Sequence, residues 1–138
     1  MDDALTWLQL PAHMSSLAPF TEFAHEGARA AALPDSALGK LDLMMEEVLV
    51  NVFLYAYPSG QTGEAAVGYA VAAPNCLRID VCDSGREFNP LDKDAPDLDL
   101  SLEDRPIGGL GIFLVKTMSE SVSYRRQDGR NILSFQLR

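Results

Sequence analysis

The strands of this chain come in adjacent pairs instead of alternating with helices, and that grouping constrains the fold more than any other feature. Ala65 to Ala72 and Leu77 to Cys82 are apolar runs joined through Pro74-Asn75; Ser121 to Arg126 and Asn131 to Leu137 are joined through Asp128-Gly129-Arg130. Asn and Asp-Gly tolerate the positive φ of tight turns, so each pair reads as a hairpin. A first strand, Leu5 to Leu10, ends at Pro11. After it, apolar residues recur at helical spacing. One set is Leu17, Phe20, Ala24, Ala28 and Ala31, from a start at Ser15 or Ser16. The other is Leu38, Leu41, Met45, Val48 and Val52, from Pro34-Asp35-Ser36 to Tyr57, before Pro58. These spacings predict two helices, and a third is expected from about Leu110 to Ser119. The order β-α-α-β-β-loop-α-β-β predicts an α+β fold. Its form is a two-layer α/β sandwich whose mixed, mostly antiparallel sheet carries helices on one face.

The 138 residues read as a single domain, 1–138, without repeats or a dividing linker. Twenty acidic against eleven basic side chains give a net charge of −9, which repels nucleic-acid phosphates and argues against a DNA or RNA partner. A single cation and a helix terminus can still hold an anionic ligand locally. Cys76 and Cys82 fall on one face of one strand. At about 3.3 Å per residue they lie about 20 Å apart, too far to bridge. They read as buried filler in a reducing compartment. No stretch reaches the roughly 18 apolar residues of a membrane span, and Met1-Asp2-Asp3 lacks the basic start of a secretory signal, so the chain is expected in the cytoplasm without a membrane partner.

Three blocks carry candidate chemistry. Glu47 and Asn51 stand four apart in the second predicted helix, so they project from one face, one turn apart. A solvated helix face is the plain reading of that pair. Asn51, however, interrupts the apolar run Val48-Leu49-Val50-Asn51-Val52-Phe53-Leu54, where its amide needs a partner, and its carbonyl oxygen suits magnesium. Asp83-Ser84-Gly85 follows an apolar strand. It is either a simple turn or a carboxylate able to accept a hydrogen bond from an exocyclic amine, with Gly85 letting the backbone pass close to the base. Gly108-Gly109-Leu110-Gly111 opens an apolar helix and leaves backbone N–H groups free to hold phosphate; a hinge before a buried helix is the alternative. The block is neither a Walker A loop nor a dinucleotide fingerprint, because Val115 precedes Lys116-Thr117 and an acidic loop leads into it. The polar stretch from Ser84 to Pro106 has the length of a lid or binding loop. His13 and His25 have no catalytic pattern around them and read as structural.

Taken together, these blocks resemble the Bergerat ATP-binding fold of the gyrase, histidine-kinase and MutL superfamily. Within it the chain resembles the anti-sigma-factor serine/threonine protein kinases of the RsbW type, from the first strand to Leu137. Phe88-Asn89-Pro90 and the ending from Val122 to Asn131 are similar to that family as well. The resemblance implies ATP and Mg²⁺ as cofactors. It implies Glu47 as general base, Asn51 as magnesium ligand, Asp83 with Gly85 at the adenine, and Gly108, Gly109, Leu110 and Gly111 at the phosphates. It also implies a small antagonist (STAS-like) protein as substrate, a sigma factor or other regulator as sequestered partner, and a homodimer as a common assembly. Tyr55 stands where many relatives carry His. His25-Glu26 is similar to the phospho-accepting dipeptide of histidine kinases, although a single helix precedes the ATP-binding part. A non-catalytic ATP-gated binding module and a detached histidine-kinase catalytic domain are the two competing readings.

Overall fold

A computed structural model describes residues 2–58, 61–92 and 115–138. Five strands form one sheet in the order β1-β2-β3-β5-β4, with β1 Thr6–Pro11, β2 Glu64–Ala73, β3 Cys76–Asp83, β4 Ser121–Gln127 and β5 Arg130–Leu137. All four pairings are antiparallel. The expected α+β two-layer sandwich with its mostly antiparallel sheet is therefore present, and among the described residues every pairing is antiparallel. Both hairpin turns sit where the turn residues put them. Asn75 has φ 60°, and Asp128 and Gly129 have φ 53° and 76°, two successive positive values as a type I′ turn requires.

Helices α1 (Leu17–Ala30) and α2 (Leu38–Tyr55) cover one face of the sheet. Phe20, Ala24 and Ala28 of α1 and Leu41, Met44, Met45, Val48 and Leu49 of α2 meet Val67, Leu77, Ile79, Val81, Leu133 and Phe135, all buried in one cluster. The small residues of α1 let it lie close to the sheet, and the larger side chains of α2 fill what remains. His13 accepts from the Ser15 N–H at 3.1 Å in the 3₁₀ turn before α1, and His25 Nε2 meets Asp42 Oδ1 at 2.5 Å, joining α1 to α2. Both histidines thus make contacts that tie local structure together.

Helix α2 ends at Tyr55, two residues short of the sequence reading. Its last carbonyls are taken from outside the helix: Ala56 O accepts the Arg86 N–H at 2.9 Å, and Tyr55 O accepts Arg86 Nε at 2.9 Å. Arg86, beyond β3, thus caps the helix with both its backbone and its side chain. Residues 115–118 are helical and agree with the end of the third expected helix. Val115 is buried in the core, and Lys116 Nζ donates to Leu91 O at 2.6 Å. The rest of that helix, and the expected lid from residue 93 onward, lie outside the described residues. No described helix is long and apolar enough to cross a membrane. Cys76 and Cys82 are free and buried.

Candidate functional site

The C-terminal half of α2 and the end of β3 wall a pocket. Val48, Val52, Val81 and Leu133 make it apolar, while Asn51 and Asp83 supply polar groups. Apolar walls with a few placed polar atoms suit a flat ring with a polar edge.

Asn51 is 4% exposed. Its Nδ2 donates back to Glu47 O at 2.6 Å, one helical turn earlier, which fixes the amide and leaves Oδ1 buried without a partner among the described residues. An orphaned buried acceptor costs about 1–3 kcal/mol in an apolar setting, so its presence calls for a ligand. A neutral oxygen held this way fits magnesium, which keeps several oxygen ligands from elsewhere and needs few from protein. The described residues contain no cluster of three or more His, Cys, Asp or Glu able to cage a metal. Glu47 is half-buried beside Asn51. Partial burial, then the neighbouring Glu46 charge, push its carboxyl above the ordinary range, which makes it the stronger base.

At the end of β3, Asp83 is 7% exposed. Oδ1 accepts the Gly85 N–H and Asn131 Nδ2, both at 2.9 Å. Oδ2 accepts no hydrogen bond among the described residues. Burial raises the carboxyl above its usual range, against the hydrogen bonds from Asn131 and Gly85 and the Arg126 charge. Gly85 is required for a different reason than the sequence suggested. A Cβ there would sit 2.0 Å from Ala56 O, so the glycine permits close approach to the end of α2.

Several residues of the site were not singled out from sequence. Asn131 bonds Asp83, Tyr124 lines the pocket, and Arg126 Nη1 donates to Gly85 O at 2.8 Å. Tyr57 accepts the Ser84 N–H at 3.0 Å and donates to Glu64 O. The one available signal was Asn131 itself, an amide entering an apolar strand, where asparagine is depleted. Tyr55 packs its ring against Phe88, with centroids 6.0 Å apart. The structure thus brings Glu47, Asn51, Asp83 and Gly85 into one region. Gly108, Gly109, Leu110 and Gly111 lie outside the described residues.

This fold, with a carboxylate at the end of a central strand facing an Asn on the neighbouring helix, defines a class: the chain belongs to the histidine kinase-like ATPase domain family, whose pattern matches residues 10–137. Within that family its similarity is to kinases of the RsbW type. The chain is 30% identical to the serine/threonine-protein kinase BtrW of Bordetella bronchiseptica over 95 residues, covering 68% of this chain and 66% of that protein. It is 26% identical to the serine-protein kinase RsbW of Listeria monocytogenes over 96% of this chain and 86% of that protein. Against RsbW of Bacillus thuringiensis the identity is 28%, over 67% and 59% respectively. A histidine kinase domain from the blue-light activated histidine kinase of Erythrobacter litoralis superposes with TM-score 0.55 at 18% identity, over 99% of this chain and 64% of that one; this likeness concerns the fold alone.

Proposed function

We propose that this chain binds Mg-ATP and transfers its terminal phosphoryl group to a serine or threonine of a small antagonist protein of the STAS-like kind, holding a sigma factor or another regulator in exchange. The observation that carries the reading is the orphaned Asn51 Oδ1, buried beside a base in an apolar pocket that Asp83 also lines. Asp83 accepts the exocyclic amine of adenine, and the apolar walls hold the ring. Asn51 holds the magnesium through Oδ1, and the backbone N–H groups of Gly108, Gly109, Leu110 and Gly111 are assigned to the phosphates from sequence. Magnesium supplies charge neutralisation at the phosphates. Glu47 accepts the proton of the attacking hydroxyl, and its raised pKa places it nearer the working pH than an ordinary glutamate.

Incubation with Mg-ATP and extract of the native cell, followed by phosphosite mapping, tests the reading. Phosphate on serine or threonine of a captured protein is expected. Glu47→Gln should keep ATP binding and lower that transfer by about 10²–10⁴-fold. Phosphate on histidine would make this a histidine-kinase catalytic domain instead. Nucleotide-dependent capture without any transfer would leave an ATP-gated binding module.

A further inference from the structure

Asn131 stands directly opposite Asp83 in the pairing of β3 with β5, and its amide is engaged on every side. Nδ2 donates to Asp83 Oδ1 at 2.9 Å and to Arg86 O at 2.7 Å. Oδ1 accepts the Tyr124 hydroxyl at 2.6 Å and the Phe88 N–H at 3.2 Å. Rotating this amide by half a turn would set an NH₂ against the Phe88 N–H and an oxygen against a carboxylate and a carbonyl. A single orientation is therefore held by the Phe88 N–H, Arg86 O and Asp83, and the Tyr124 hydroxyl adds a short bond to the amide oxygen. With both donors, Asn131 Nδ2 and the Gly85 N–H, directed at one oxygen, the plane of the Asp83 carboxylate is fixed and its other oxygen is left for a ligand.

We infer that Asn131, locked by Tyr124, is the positioning residue that sets base specificity. It fixes Asp83 so that Oδ2 alone meets the base, and only a base with an amino donor at that edge is accepted. Asn131 acts through Asp83, and Tyr124 acts through Asn131. The inference rests on Asp83 reading adenine. It adds that the reading depends on a chain of bonds running from β4 through β5 to β3.

Calorimetric affinities for ADP and for purine riboside diphosphate, which lacks the exocyclic amine, test it in wild type, Asn131→Asp and Tyr124→Phe, with melting temperatures recorded for each. Wild type should favour ADP by about 10- to 100-fold, the range for a hydrogen bond to a charged acceptor. Asn131→Asp keeps the shape but replaces the donor to Asp83 with a repelling oxygen. Its preference should collapse to about threefold or less through loss of ADP affinity alone, the analogue binding as before. Tyr124→Phe should erode the preference part of the way. Affinities for both nucleotides falling together, or a preference kept intact in both variants, would make Asn131 a mere structural staple and overturn the inference. Should Asn131→Asp fail to fold, an undiminished preference in Tyr124→Phe overturns it alone. A wild type that does not distinguish the two nucleotides removes the adenine reading itself, and this inference with it.

Discussion

Two carboxylates three residues apart on β3 are both buried, on opposite faces of the sheet, and their surroundings differ in kind. Asp80 lies on the face without helices and is 0% exposed. Its Oδ1 accepts Arg78 Nε at 3.0 Å and Ser134 Oγ at 2.6 Å, and its Oδ2 accepts Arg78 Nη2 at 2.9 Å, with Arg125 Nη2 at 3.8 Å. Both of its oxygens are engaged from within the chain. Asp83, on the helix-covered face, has both of its hydrogen bonds on one oxygen. Asn51 on α2 shows the same incompleteness in its Oδ1. Among the described residues both faces bury polar groups, and the buried acceptor left without a partner, Asn51 Oδ1, is on the helix-covered side. A saturated buried charge serves the fold, whereas an open one is a cost that a ligand relieves.

The comparison breaks most visibly at Arg78. Arg78→Met leaves Asp80 buried with its main partner gone and should destabilise the protein by about 3–5 kcal/mol in urea unfolding. The folded fraction should bind ADP as wild type does, because the helix-covered face is untouched. A lost ADP affinity there would mean that the two faces are coupled.

Asp83→Asn should do the reverse. The amide oxygen can keep the bonds from Gly85 and Asn131, while its NH₂ takes the place of Oδ2 and meets the adenine amine donor to donor. ADP affinity should fall by about 1.5–3 kcal/mol in calorimetry, with apo stability unchanged or higher. The sign of the second effect follows from the raised pKa of Asp83. A carboxyl raised by folding contributes its stability below its unfolded pKa and loses it as pH rises through the folded value. At neutral pH the ionised group is therefore a cost, which the amide removes.

Asn51→Leu sharpens the same contrast at smaller scale. It removes the orphaned acceptor at the loss of one bond to Glu47 O, so the apo protein should gain about 1 kcal/mol in thermal unfolding while magnesium dependence of nucleotide binding disappears. A variant that binds Mg-ADP normally would end the metal role of Asn51. The smallest effect concerns Glu47. Because the base must be ionised and its pKa is raised, the transfer rate should climb with pH through a value above the ordinary glutamate range, and Glu47→Asp should move that limb without abolishing it.

Local chemistry wrote much of this protein openly into its sequence. The hairpins follow from Asn75 and Asp128-Gly129, residues that tolerate the positive φ they adopt. The two helices follow from apolar spacing, and the pairing of Glu47 with Asn51 follows from the helical repeat. Tertiary structure decided what depends on distant segments meeting. On β3 both faces are buried, so alternation could not tell Asp80 from Asp83; their partners separate them, Arg78 on the same strand with Ser134 and Arg125 for the one, Asn131 and Gly85 for the other. Gly85 is explained by Ala56, and the end of α2 by Arg86, neither near in sequence. Asn131 gathers Asp83, Arg86, Phe88 and Tyr124 because β5 lies between β3 and β4, a strand order that no local signal encodes. Turn and helix preferences act within a few residues, so sequence displays them, whereas saturation of a buried polar group is a property of the assembled neighbourhood and exists only once the chain has folded.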